Sequence, residues 1–347
     1  MIKEEGLMAR TTNIILEKKS SYALNHQVKL GQYDFPFTLN PTIGCFFGCT
    51  YCYSPWVAYG WNPDRKKRFF ENIHVKLDKP QHLAKELPKY SVLPQHMKRV
   101  QINETSEYYL PQVLHFLKQN GKPDLMLGIL DAFHQQWSKG NKWMLHIHTK
   151  SDLILTQIDK LKEMKQMVQI EVSFASQDDT ISRSIEFFTP TVTKRLELVE
   201  ELAKAGLFVR VMAMPFYGER KDLLVLKDDA LKRGAKGFKN KGLNYYNWGD
   251  LVKPRTWDQY LDEKIPRSRG RLDTKDESLI VKSGEYVLVR GKARRKTVSM
   301  PRMDDEFKAK KDWSAISKKG SRFTKKSMKV IDCGYRDCND VDWGYIV

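Results

Sequence analysis

The chain has 347 residues and a mass of 40.6 kDa, enough for a large core, and its 41% hydrophobic and 29% charged residues are ordinary for a globular protein. Its 20 Gly and 14 Pro exclude a collagen-like or wholly disordered chain, and five cysteines are too few for a disulfide scaffold. Sixty Lys+Arg against 42 Asp+Glu leave a formal charge of +18, which favours a polyanionic partner.

No stretch approaches a membrane span, and the opening residues lack a secretory signal's apolar region. The expected location is cytoplasmic, where thiols stay reduced. Residues 1–36 read as an irregular or lightly structured arm ending at Pro36. Phe37–Asn40 is a short strand candidate that leads into a loop holding Cys45, Cys49 and Cys52. Leu83–Tyr90 is a short helix candidate. From Arg99 a strand–helix rhythm sets in. Arg99–Asn103 is a strand, and Asp124 opens a helix to about Trp137, whose Leu125, Ile129, Ala132, Phe133 and Gln136 share one face. Lys142–His148, Met167–Phe174 and Leu207–Met214 are further strands. Helices are expected over about 155–165 and from Thr191 to Ala205, the second stopped by Gly206. A helix over 223–233 and a last strand within 237–246 complete the series.

Strands alternating with helices of this length indicate an α/β fold with parallel strands. Six such units do not make the usual closed eight-stranded barrel, and periodicity does not choose between an open doubly wound sheet and a partial barrel. From about Lys264 the texture changes. Residues 264–330 carry 21 Lys+Arg against 8 Asp+Glu, so most of the excess charge sits in one extension. Tyr286–Arg290 is a strand candidate there and Gly291–Lys296 a basic turn, while the aromatic tail favours docking over disorder. The expected division is an arm over 1–36, an α/β domain over 37–250 and a basic extension over 251–347. Its Lys and Arg would neutralise phosphates. Trp56, Tyr59 and Trp61 are candidates for stacking on a base or closing over a site, although such stripes are more often core.

Cys45-x3-Cys49-x2-Cys52 puts three thiols within eight residues, on a loop eased by Gly44 and Gly48. Three thiolates so close can grip a compact soft metal centre. Structural zinc takes four protein ligands, whereas an iron–sulfur cubane held by three leaves one iron open to a substrate or cofactor. Further polar residues gather where the strands end, the rim on which parallel-strand enzymes carry their chemistry. Asn103, Glu104 and Thr105 end the second strand, Lys150 and Ser151 the third, and Ser173 the fourth. Glu104 either meets a ligand or caps the following helix. Arg210, inside an apolar strand, needs a partner or an anion if it is buried; otherwise it lies at an exposed edge. His146 and His148 alternate on one strand and face the same side. Metal ligation would need further partners, which the local sequence does not supply, so core packing or hydrogen bonding is expected of them.

The cysteine motif, with Tyr51 before its last cysteine, resembles the signature of the radical S-adenosylmethionine superfamily. The wording NPTIGCFFGCTYCY resembles more narrowly the spore photoproduct lyase group and its DNA repair photolyase-like relatives. The likeness continues through Thr105–Pro111, His148–Ser151, Val172–Phe174, Pro190–Arg195 and Ala205–Pro215, covering roughly residues 35–247. It implies a partial (β/α)6 TIM-like barrel with a [4Fe–4S] cluster on Cys45, Cys49 and Cys52, whose open iron chelates S-adenosylmethionine. Reductive cleavage of that cofactor would give a 5′-deoxyadenosyl radical that abstracts a substrate hydrogen, with a reductase such as flavodoxin or ferredoxin as electron donor. By the same resemblance Tyr51 would lie against the adenine, while Lys150 and Ser173 would hold the carboxylate and the ribose. Asn103, Glu104, Thr105, Ser151 and Arg210 complete the candidate cofactor contacts.

The lyase group returns a hydrogen atom to its product through a further cysteine between the cluster loop and the third strand, and this chain has none between Cys52 and Cys333. Either Cys333 or Cys338 reaches the site from the tail, or Tyr108 or Tyr109 donates, or the substrate is not a thymine dimer. The expected function is a radical S-adenosylmethionine enzyme, lyase or base-modifying, acting on nucleic acid, with DNA repair or modification favoured over RNA. Modification of RNA, or of a protein or peptide, is one alternative; a non-catalytic iron–sulfur nucleic-acid-binding protein is another. No membrane partner is expected, and no feature indicates an oligomeric state.

Overall fold

The computed structural model describes residues 13–17, 20–26, 35–93, 98–240, 243, 246 and 248–265, with the strands 286–289 and 292–295. Its strands are β1 (Asn13–Leu16), β2 (Asn25–His26), β3 (Phe37–Leu39), β4 (Thr42–Ile43), β5 (Asn72–Val75), β6 (Arg99–Ile102), β7 (Met144–Thr149), β8 (Val168–Phe174), β9 (Phe208–Ala213) and β10 (Gly237–Asn240). The helices are α1 (Ser54–Tyr59), α2 (Arg65–Glu71), α3 (Lys79–Glu86), α4 (Pro111–Gln119), α5 (Leu125–Ser138), α6 (Ile158–Glu163), α7 (Asp179–Ile185), α8 (Val192–Lys204), α9 (Arg220–Lys232), α10 (Trp248–Leu251) and α11 (Trp257–Asp262).

Seven strands form one sheet in the order β10-β9-β8-β7-β6-β3-β2, parallel throughout except that β2 runs antiparallel to β3. Among the described residues, six parallel strands with helical crossovers and two unjoined edges make a partial (β/α) barrel, which decides the choice that periodicity left open. β1, β5 and β4 form a small second sheet beside it. The segment 1–36, expected as an irregular arm, thus supplies two strands among its described residues.

β8 shows why the strands take this form. All seven residues of VQIEVSF are buried, yet apolar and polar alternate. Ile170 and Val172 join the apolar core, whereas Glu171 meets side chains of β7, β9 and β10 on the lumen face. Outside, α5 packs Leu125, Met126, Ile129, Leu130 and Phe133 inward, and Asp124 caps it by accepting from the Leu127 N–H at 3.0 Å. Thr191 caps α8 by accepting from the Lys194 N–H at 3.2 Å.

Beyond residue 265, β11 (Tyr286–Val289) and β12 (Lys292–Arg295) pair antiparallel with Val289 opposite Lys292. The run expected as a basic turn is therefore largely strand. Cys333 and Cys338 lie outside the described residues. Among the described residues, no helix is long and apolar enough to cross a membrane.

Candidate active site

The cysteine loop links β4 to α1, and two glycines let it fold back on itself. Gly44 has φ +95°, and a Cβ there would lie 2.2 Å from the carbonyl oxygen of Asn72. Gly48 has φ +64°, and its Cβ would lie 2.6 Å from the ring of Trp257. Both conformation and space therefore require glycine. The Cys45 N–H donates to the Phe69 carbonyl at 3.1 Å, and the Cys52 N–H to that of Cys49 at 3.1 Å.

All three thiols are free; Cys49 is buried, and Cys45 and Cys52 are half-buried. Burial pushes the Cys49 thiol up to about 12 against the pull of Lys150. Burial, then the charge of Cys49, lifts Cys45 well above its ordinary value. Burial also raises Cys52, against hydrogen bonds from Ser54. Thiols so placed keep their protons until a cationic centre draws them off, and an all-sulfur donor set suits an iron–sulfur cluster. The loop fits that group.

Beside the loop stands a buried ionic node. The Tyr51 hydroxyl donates to Glu186 Oε1, and Arg195 Nη2 reaches Glu186 Oε2 at 2.7 Å. Lys150 Nζ lies 3.8 Å from Glu186 Oε1 and 5.7 Å from the centre of the Tyr51 ring. Burial pulls Lys150 down, but Cys49 and Glu186 together carry it above the ordinary lysine value. Arg195 also donates to the Ser173 carbonyl at 2.7 Å, so the ends of β7 and β8 meet the loop here.

A second node is Glu107. Its carboxylate accepts from Thr149 Oγ1 (2.9 Å), the Lys150 N–H (3.0 Å), the Tyr109 N–H (3.1 Å) and Asn103 Nδ2 (3.3 Å). Burial still outweighs those bonds and raises it to about 7. Asn103 takes φ +62°, a conformation asparagine tolerates, and its Nδ2 also donates to the His148 carbonyl at 3.2 Å. Glu104 is raised by burial and accepts from Thr38. It does not cap the next helix, because α4 starts only at Pro111 with Leu110 as its cap. The Thr105 N–H donates to Asn40 Oδ1 at 3.0 Å, and Ser151 Oγ accepts from the Leu153 N–H at 3.3 Å as a local cap.

Arg210 is buried, and its Nη2 lies 2.7 Å from Glu171 Oε1, so exposure at a sheet edge is excluded. Glu171 in turn meets His148 Nε2 at 2.6 Å and His146 Nε2 at 3.2 Å. Burial raises Glu171, yet Lys239 and Arg210 outweigh it and hold the carboxylate well below its usual range. Burial lowers both imidazoles, that of His146 strongly, against the pull of Glu171.

Tyr108 and Tyr109 are fully buried, with hydroxyls donated to Asp124 (2.9 Å) and Gln157 (2.9 Å) of the helical shell. The structure gives neither hydroxyl a bond to the cysteine loop. Trp61 is 71% exposed, with Trp56 edge-on to it, while Tyr59 lies under the Arg68 guanidinium at 4.6 Å. Trp257 closes the other side of the loop, 5.1 Å from Phe188 and 5.4 Å from Phe70 between ring centres. Sequence reasoning missed Glu107, Glu171, Glu186 and Arg195. Glu171 had a readable signal as a lone carboxylate in an apolar strand, and Glu107 and Arg195 lie in the segments Thr105–Pro111 and Pro190–Arg195 that carry the resemblance; Glu186 had none.

An uncharacterised protein of Acidianus two-tailed virus is 24% identical over 248 residues, covering 70% of this chain and 76% of its own. An uncharacterised protein of Methanocaldococcus jannaschii is 22% identical over 233 residues, covering 67% and 77%. Among solved structures, spore photoproduct lyase complexed with dinucleoside spore photoproduct shares the fold with a TM-score of 0.52 at 14% identity, over 75% of this chain and 68% of that one. The sequence model of the Radical SAM superfamily matches residues 39–225. That span runs from the strand before the cysteines to the helix after the fifth parallel strand, so scaffold and loop are matched together, and the protein belongs to the radical SAM superfamily, whose enzymes work with a [4Fe–4S] cluster and S-adenosylmethionine.

Proposed function

We propose that the protein is a radical S-adenosylmethionine enzyme acting on nucleic acid, with repair or modification of DNA bases as its reaction. The observation that carries this reading is charge: 21 Lys+Arg against 8 Asp+Glu over residues 264–330, attached to the barrel. Such an extension suits a phosphate backbone and has no use against a neutral peptide. The fold likeness to a lyase solved with a dinucleoside photoproduct adds to it.

In this reading Cys45, Cys49 and Cys52 hold the cluster. When bound, cluster and cofactor together supply reductive cleavage and hydrogen-atom abstraction. Lys150, kept charged by Cys49 and Glu186, presents an ammonium to the cofactor's carboxylate. The Ser173 hydroxyl serves the ribose, and Tyr51, anchored by Glu186, offers its backbone and ring to the adenine. Asn103, Glu104 and Thr105 form the opposite rim, where a cationic amine would favour the ionised form of Glu104. Trp257, Phe187 and Phe188 keep water from the loop. A flavodoxin- or ferredoxin-like reductase supplies the electron.

The test is anaerobic reconstitution with iron and sulfide, reduction with S-adenosylmethionine, and quantification of 5′-deoxyadenosine, alone and with plain DNA, ultraviolet-irradiated DNA, RNA or peptide. Cleavage is expected in the native chain, stimulated by DNA and absent when Cys45, Cys49 and Cys52 are all replaced by alanine. Stimulation by RNA or peptide alone would move the substrate, and a chain that binds no iron would sink the reading.

A further inference from the structure

We propose that His146, His148 and Glu171 form a second metal site, in the barrel lumen, for a divalent first-row transition ion such as zinc or ferrous iron. Both histidines lie on one face of β7, and Glu171 on β8 stands in register with His148. Three potential ligand atoms converge: the two Nε2 atoms are 3.1 Å apart, and Glu171 Oε2 lies 2.6 Å from His148 Nε2 and 3.2 Å from His146 Nε2. An ion bound at about 2.1 Å by donors at right angles sets those donors about 3 Å apart. The 3.1 and 3.2 Å edges match that triangle, and the 2.6 Å edge, a hydrogen-bond length, opens by about 0.4 Å when an ion enters. A simple hydrogen-bonded pair needs only one imidazole nitrogen facing the carboxylate; here both rings turn the same nitrogen toward one oxygen and toward each other.

The surroundings orient these groups as partners of metal ligands do. Arg210 takes the other carboxylate oxygen at 2.7 Å, which leaves Oε2 for the imidazoles, and the Gln101 amide nitrogen lies over the edge of the His148 ring, 3.3 Å from Nδ1 and 3.4 Å from Nε2. Two imidazoles and one carboxylate suit zinc or non-haem ferrous iron, and three protein ligands leave positions open to water or an anionic oxygen. His148 and Glu171 stand two residues before Lys150 and Ser173 on their strands, one layer below the rim, and His146 stands two residues further back.

Charge opposes the ion, because Lys239 Nζ lies 3.6 Å from Glu171 Oε2. Its side chain, 11% exposed on the edge strand β10, must swing its ammonium aside when the ion enters. Lys239 therefore acts as a competitor for the carboxylate, and its removal tightens binding.

The experiment counts zinc separately from iron, by mass spectrometry after equilibrium dialysis of the reconstituted full-length protein. One zinc per chain is expected, and it stays in the variant with all three loop cysteines replaced by alanine, so failure of the cluster reading and of this one are distinguishable. His148→Gln, chosen because loss of Glu171 would strand Arg210, weakens binding by roughly 100-fold or more with its far-ultraviolet circular dichroism unchanged. Lys239→Gln tightens it by roughly 10-fold. If His148→Gln does not fold, the gain in Lys239→Gln decides. Absence of zinc, loss of zinc with the cysteines, or equal affinity in the native chain and Lys239→Gln would overturn the proposal and leave the trio a hydrogen-bonded charge cluster.

Discussion

Glu107 sits under four donors and still titrates near neutrality, at about 7 against an ordinary 4.5, because burial outweighs the bonds. The folded chain therefore holds a proton that the unfolded chain releases between those values. The resulting stability is full below about pH 4.5 and is lost as pH rises through about 7. In the cluster-free chain, urea unfolding at pH 5 and pH 8 is expected to show a loss with an upper bound on the order of 3 kcal/mol, and Glu107→Gln should flatten it. Gly48 makes the second residue-scale case. Gly48→Ala combines φ +64° with a 2.6 Å clash on Trp257, for a cost of about 1–3 kcal/mol and a fall in iron per chain. Gly60→Ala, at φ +57° in open space, should lower the melting temperature alone.

Among the elements, α8 ties the site together. Its Arg195 pairs with Glu186 at 2.7 Å and donates to Ser182 Oγ at 2.8 Å and to the Ser173 carbonyl. That joins α7, β8 and the cysteine loop's partner in one network. Arg195→Met leaves Glu186 with the hydroxyls of Tyr51 and Ser182 and a single cation, Lys150 at 3.8 Å, so a loss of about 3–5 kcal/mol is expected. Thr191→Ala, at the same helix's start, should cost about 1 kcal/mol. Chemical denaturation of both variants checks the contrast; equal losses would show that the ionic node contributes nothing special. The cap at Thr191 and the stop at Gly206 were legible in the sequence, since both are local. Arg195 was not, because Glu186 comes from an irregular segment with no periodicity of its own.

At the scale of the whole molecule, Tyr246 and the stretch from Trp248 to Ile265 pack on the cysteine loop rather than apart from it. Tyr260 donates to the Thr50 carbonyl at 3.3 Å, Tyr246 to that of Cys52 at 3.4 Å, and Lys66 Nζ to that of Tyr260 at 2.7 Å. We propose that the barrel unit extends to residue 265, beyond the boundary at 250 expected from the sequence. A chain cut there should keep its iron and melting temperature but lose salt-dependent DNA affinity, as filter binding at two salt concentrations would register. A cut after residue 250 removes Trp257 and Tyr260 and should lose the iron as well. Equal iron content in the two truncations would refute that boundary.

The sequence by itself determined the alternation of parallel strands and helices from Arg99 onward, the caps at Asp124 and Thr191 and the cysteine loop, because each depends on neighbours within a few residues, and the loop's resemblance to a known family named its cofactors. It also placed His146 and His148 on one face of a strand. Only the tertiary structure decided that Glu171 meets them, that Glu186 joins Tyr51, Lys150 and Arg195, and that Glu107 gathers the ends of β6 and β7. Each of those pairings crosses between strands or from a loop to a helix. A buried charge signals only that a partner must exist, and the register of a parallel sheet, set by packing over the whole barrel, chooses which one.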